Sequence, residues 1–192
     1  MKKLFLPLAV LCSALLTVGC DKGNGFSNNL QFDDATHTVT GAVINLYERT
    51  EYETNYEIYL LLDGTRYGGY IGGAVYFDMY FDGEVYDLPA GTYVMASGNI
   101  LDSGEYFYNT ETEEKDVNLT SGTLTVSRSG DNYTFTFEGK AIDYYTDPGT
   151  AEEKPFSCSY SGPVEYREDG DGTVGFSVTP ASEPSRMMEK RR

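Results

Sequence analysis

The chain has 192 residues, with 30 acidic side chains against 14 basic ones and a formal charge of −16 at pH 7. That length suits one domain with a sizeable core and not two. So negative a field repels nucleic acid and anionic lipid headgroups, which argues against DNA, RNA or a bare membrane surface as a partner.

In chain order, the first feature is a processing signal. Lys2 and Lys3 form a positive start, residues 4–18 are an apolar run too short to span a bilayer as a stable helix, and small Gly19 precedes Cys20. The block Leu16-Thr17-Val18-Gly19-Cys20 resembles the lipobox of bacterial lipoproteins. That resemblance implies removal of residues 1–19, acylation of Cys20, and attachment to a membrane through the lipid. A plain secretory signal followed by a chance cysteine is the alternative. On the lipoprotein reading 173 residues remain, and loss of Lys2 and Lys3 takes the charge to −18. Residues 20–37 are then the lipidated cysteine and a polar, Gly- and Asn-rich tether. Cys12 leaves with the signal and Cys20 carries lipid, so Cys158 is the one thiol left and no intramolecular disulfide is expected.

From residue 38 to about 180 the patterning has period two, with no helical stripe, so the chain reads as all-β. Residues 38–47 are strand-like, with Gly41 as a bulge or close-approach point. Residues 56–62 (YEIYLLL) are apolar on both faces, as a strand covered on two sides would be. Val75, Phe77, Met79 and Phe81 alternate with Tyr76, Asp78, Tyr80 and Asp82, giving one apolar and one Tyr/Asp face. A turn at 88–91 (LPAG) leads into a strand at 92–96, and 106–109 forms another, with loops at 102–105 and 111–116. Residues 122–139 read as a hairpin with its turn at 129–132 (SGDN). After an acidic loop at 143–155, strands follow at 156–166, where Pro163 marks a bulge or edge, and at 172–179, with Val174, Phe176 and Val178 inward. Phe156, Cys158 and Tyr160 share a face, so Cys158 is expected in the core. Residues 181–192 form a frayed tail with a basic end.

Nine or ten strands without a helix must bury their apolar faces against one another. An antiparallel β-sandwich is the favoured solution, and a closed or partly open antiparallel barrel the alternative. The segments at 88–93 (LPAGTY), 122–139 (GTLTVSRSGDNYTFTFEG) and 160–164 (YSGPV) are similar to those of small, mostly uncharacterised lipoproteins of the Bacteroides group. The resemblance implies a β-rich domain lipid-anchored to the outer membrane, on its periplasmic face or at the cell surface. It carries fold, not chemistry.

No catalytic residue emerges. The chain has a single histidine, His37, expected to be an ordinary exposed strand residue. No nucleophile elbow, phosphate loop or dinucleotide fingerprint is present, and Gly68-Gly69 with Gly72-Gly73 lacks the required spacing. The Asp169-Gly170-Asp171-Gly172 turn lacks the length and terminal Glu of an EF-hand loop, so no metal and no cofactor are expected. The most suggestive feature is aromatic: Tyr76 and Tyr80, with Asp78 and Asp82, form a candidate binding face suited to a glycan or an envelope protein. If a second layer covers that face, these tyrosines are core instead. The expected function is a non-catalytic, lipid-anchored binding or scaffolding module. The alternatives are a structural or adhesion component built by strand exchange and a carboxylate-dependent glycan hydrolase.

Overall fold

A computed structural model describes residues 27–63, 72–109, 114–143 and 151–168. Ten strands are present: β1 (Asn29–Phe32), β2 (Ala35–Arg49), β3 (Glu53–Leu62), β4 (Gly72–Asp82), β5 (Gly91–Val94), β6 (Leu101–Asn109), β7 (Glu114–Ser129), β8 (Asn132–Asp143), β9 (Lys154–Pro163) and β10 (Glu165–Glu168). No helix occurs among the described residues. Cys20 and the expected strand at 172–179 lie outside them.

The sheet closes on itself. Its order runs β1-β9-β8-β7-β6-β4-β3-β2, and β1 also pairs with β2, giving an eight-stranded antiparallel barrel with two further short strands. The sandwich preferred from sequence is therefore corrected to its alternative. Alternation cannot separate the two, because each presents one face inward and one outward. What decides is long, bent strands. β2 has 15 residues and β7 has 16, and pairing slips at Val39/Gly41, Leu46/Glu48 and Leu119/Ser121. Such bulges sharpen the local bend and coil a sheet until its first and last strands meet. The slip at Gly41 is the one anticipated from sequence.

The two short strands fill places left by the stagger. β2 pairs with β1 over Ala35 to Thr38 and, parallel, with β10 over Val43 to Leu46. Likewise β7 pairs with β6 over Glu114 to Asn118 and with β5 over Thr123 to Val126. The expected tether is shorter than read from sequence, since Asn29–Phe32 is β1 and Ala35 to His37 already belong to β2. Residues 102–105, expected in a loop, are likewise strand.

The interior is filled with side chains. Phe32, Tyr56, Phe77, Tyr106, Phe135, Phe137 and Phe156 are all buried there. Their rings interlock, with centroids 5.2 Å apart for Phe77 and Phe137, and 6.0 Å apart for both Phe137 with Phe156 and Tyr106 with Phe156. An eight-stranded barrel is just wide enough for this solution. Cys158 and the Val75, Phe77, Met79, Phe81 series point into this core, as their alternation required. One barrel end is closed by the segment between β4 and β6. Leu88 and Met95 join the core, Thr54 Oγ1 donates to Gly83 O (2.7 Å) and accepts from Val85 N (2.9 Å), and the Tyr56 hydroxyl donates to Val85 O (3.0 Å). Residues 88–90 are irregular rather than a turn, and the Tyr93 hydroxyl holds the Pro89 carbonyl at 2.8 Å. The outer wall carries Thr134, Thr136, Glu138, Ser157 and Ser159. Apolar inside and polar outside is the reverse of a membrane-spanning barrel.

Candidate functional site

β4 lies between β3 and β6, so its outward side chains form rows with theirs. From the closed end upward, Glu53 stands beside Asp82, and Asn55 beside Tyr80. Above them come Glu57, Asp78 and Ser103, then Tyr59, Tyr76 and Glu105, and last Leu61, Ala74 and Phe107. β2 adds Asn45 next to Glu57 and Val43 next to Tyr59. The Tyr76, Asp78, Tyr80, Asp82 stripe expected from sequence is thus a single column on the barrel's outer wall, and among the described residues no second sheet lies over it.

The column grades from covered to open. Tyr76 and Asp78 are half-buried, Tyr80 is 37% exposed, and Asp82 is exposed. In the middle rows the polar groups satisfy one another. The Glu57 carboxylate accepts from Asn45 Nδ2 (2.9 Å), from the Tyr59 hydroxyl (3.1 Å) and, at 3.5 Å, from the Tyr76 hydroxyl. The two rings lie 5.1 Å apart. Asp78 accepts from Asn55 Nδ2 at 2.7 Å and from the Tyr80 hydroxyl. Burial raises the Asp78 carboxyl above the usual range, Glu57 and Asp102 push the same way, and the bonds from Asn55 and Tyr80 oppose them. The Tyr80 phenol is pushed up to about 12, by burial first and then by the Asp78 charge. These middle rows are a structural lattice. The groups with contact area to offer lie below it.

There Tyr80 and Asp82 enter an open groove of about 420 Å³, lined also by Glu53, Phe81, Gly98, Asn99, Ile100 and Asp102. The segment that closes the barrel end supplies Gly98 to Ile100, and the start of β6 supplies Asp102, whose Oδ1 accepts from Gly98 N at 2.8 Å. Three carboxylates, an amide, an exposed phenol ring and a partly exposed isoleucine suit a basic side chain with an apolar stem. Such a cation can lie on the Tyr80 face for about 0.5–1 kcal/mol while pairing with a carboxylate. Sequence reading reached Tyr80 and Asp82 but missed Glu53, Asn55 and Glu57. The alternation of β3 carried a signal for these, because Glu53, Asn55, Glu57 and Tyr59 are its outward positions. Asn99 to Asp102 gave none, since only the fold brings that segment beside β4.

His37 requires a correction. It is not an exposed strand residue: its side chain is 14% exposed at the end of the barrel opposite the groove. Its Nε2 lies 3.0 Å from the buried Tyr106 hydroxyl, its Nδ1 lies 3.5 Å from Asp63 Oδ1, and its ring packs 4.3 Å from that of Tyr108. The alternation that sends Val39 inward sends His37 inward too. The single strand expected at 156–166 is divided at Val164 into β9 and β10, and β10 carries on to Glu168. Among the described residues no group of three or more potential ligands could hold a metal ion. Comparison with known protein families, curated proteins and solved structures finds no match for this chain.

Proposed function

We propose that the chain is a lipid-anchored, non-catalytic envelope protein that binds a basic segment of another envelope protein in the groove at Tyr80 and Asp82. The observation that carries this reading is the division of the barrel. Its inside is packed with rings, leaving the outer wall for recognition, and the exposed end of the Tyr/Asp column opens into a concave, carboxylate-lined surface. A lipid on Cys20 would hold that surface close to its partners, and two or three acyl chains give firm attachment where one does not. A structural role by strand exchange has less support, because each of the eight barrel strands is paired on both sides.

Capture from detergent-solubilised envelopes tests the reading. Wild-type protein should retain a partner that Tyr80→Ala with Asp82→Asn loses, and equal capture by the two would refute the groove. Retention of purified envelope glycan instead would replace the protein partner, and glycan cleavage lost in Asp82→Asn would overturn the non-catalytic reading. Cys20→Ser should move the protein from the membrane to the soluble fraction. A membrane-bound variant would sink the anchor.

A further inference from the structure

The closed end of the barrel differs from the rest of its outside. Among the described residues, every large apolar side chain that stays exposed lies there. Tyr86 (65% exposed), Val94 (58%) and Ile100 belong to the segment between β4 and β6. Tyr52 (78% exposed) stands in the β2–β3 turn, where its carbonyl accepts from Gly83 N at 2.7 Å, and Tyr47 and Tyr80 lie near the strand ends of the same rim. Tyr166 on β10 completes the set, its hydroxyl 3.4 Å from that of Tyr56, which in turn donates to Val85 O. By contrast, one register row across β7, β8 and β9 reads Thr125, Thr136, Ser159. Apolar side chains scattered singly over a surface are ordinary, whereas their gathering at one end marks an interaction face.

We propose that the closed end as a whole docks a folded protein whose surface is apolar at its centre and basic around it. The inference rests on the reading of the Tyr80 groove as a protein site and widens that site. Charge selects the partner. Among the described residues, the cations of this end are each held by a carboxylate: Arg49 by Glu168 at 3.6 Å, Arg128 by Asp87 at 3.3 Å and Arg167 by Glu165 at 2.8 Å. Glu48, Glu51, Glu53, Asp82 and Glu84 pair with no cation among the described residues, so a basic surface is complementary to them. A second copy brings the same unpaired carboxylates, and anionic headgroups are repelled as well. Extent selects a folded partner over a peptide. From Tyr166 on β10 to Ile100, whose carbonyl accepts from Tyr80 N at 2.8 Å, the face crosses β2, β3 and β4. Those four strand spacings make about 19 Å of rim before side chains are counted. A standard interface buries about 800 Å² on each side, a patch about 28 Å across. A peptide lying in the groove covers Tyr80 and Ile100 but leaves Tyr86 and Tyr166 in water. Tyrosine suits such a face, because its rigid ring offers amphipathic contact area at little cost in entropy.

Photocrosslinking in intact envelopes tests it, with benzoylphenylalanine placed in the full chain at Tyr52, Tyr86 or Val94, and at Thr125 or Thr136 as controls on the hydroxyl-bearing wall. The three end positions should trap one and the same protein, and the two wall positions about a tenth as much or less. Once identified by mass spectrometry and purified, that protein should bind the wild-type chain at least about tenfold more weakly at about 500 mM salt than at about 50 mM, because screening removes the charge complementarity. Tyr52→Ser with Tyr86→Ser, which leaves the core untouched, should weaken binding by at least about tenfold at the lower salt. Equal trapping from the wall, no adduct from the end positions, or binding indifferent to salt overturns the proposal. If the serine pair binds like wild type while Tyr80→Ala with Asp82→Asn releases the partner, the groove alone is the site and the wider face is refuted. Loss in the serine pair with no effect of the groove pair upholds the face and refutes the groove. Adducts between two copies of the chain give the end to a dimer, and flotation of Cys20→Ser protein with phosphatidylethanolamine vesicles, lost in the serine pair, gives it to a bilayer; either overturns the protein partner.

Discussion

Phe137 offers the sharpest test of how this barrel is held together. Its ring is fully buried at the centre, 5.2 Å from Phe77 and 6.0 Å from Phe156 by centroid. It also lies across two facing glycines, Gly122 and Gly139, which pair between β7 and β8. A Cβ added at Gly122 would come within 2.3 Å of the Phe137 ring, and 2.8 Å from the Glu138 carbonyl. The glycine is there because the ring occupies the space a side chain would need. Phe137→Ala should cost about 3–5 kcal/mol, combining lost transfer energy with the cavity left among the remaining rings. That is a large part of the 5–15 kcal/mol typical of a domain. Gly122→Ala alone should cost about 1–3 kcal/mol by overpacking. In the Phe137→Ala background the clash with the ring is gone and only the contact with the Glu138 carbonyl remains. The double variant should therefore be more stable than the sum of the singles by about 1 kcal/mol or more. Urea unfolding of the four proteins, followed by circular dichroism, measures this coupling. Additivity within about 0.5 kcal/mol would refute the claim that ring and glycine share one space.

Three further outcomes follow from individual contacts. Tyr106→Phe removes the hydroxyl bonded to His37 Nε2 and should cost about 0.5–1.5 kcal/mol in urea unfolding. Because His37 is the single histidine of the chain, nitrogen NMR above pH 8 should show Nδ1 carrying the proton and Nε2 bare, and the opposite tautomer would contradict the Tyr106 and Asp63 geometry. Asp78 has its carboxyl raised by burial, so between its unfolded and folded values the native state holds more protons and stability falls as pH rises. Asp78→Asn should therefore be at least as stable as wild type at pH 7 and should flatten that decline, as pH-dependent melting would show; a steeper decline would contradict it. Burial pushes the Cys158 thiol far above its ordinary range, so it should resist thiol reagents in the native protein and react only on unfolding.

Local sequence determined which face of each strand turns inward. Phe77, Met79 and Phe81 on β4, and Phe156, Cys158 and Tyr160 on β9, went into the core because period two is the geometry of the pleat itself, needing no knowledge of neighbours. The same rule put Tyr76, Asp78, Tyr80 and Asp82 on one outward column, and chain-local turn chemistry placed the β7–β8 turn at Gly130, whose φ of 63° suits glycine. Tertiary structure decided everything that depends on pairing across long separations. Closure of the barrel rests on β1 meeting β9 through the register of Leu30 with Cys158 and Phe32 with Phe156, which no local pattern encodes. His37 became a buried partner of Tyr106 only because β2 and β6 face each other across the barrel mouth. Likewise the groove exists because the chain between β4 and β6 returns to set Asn99 beside Tyr80 and enters β6 with Asp102 at the same wall. Alternation says in or out, whereas distance between strands is set by shear, bulges and closure, and those are properties of the whole sheet.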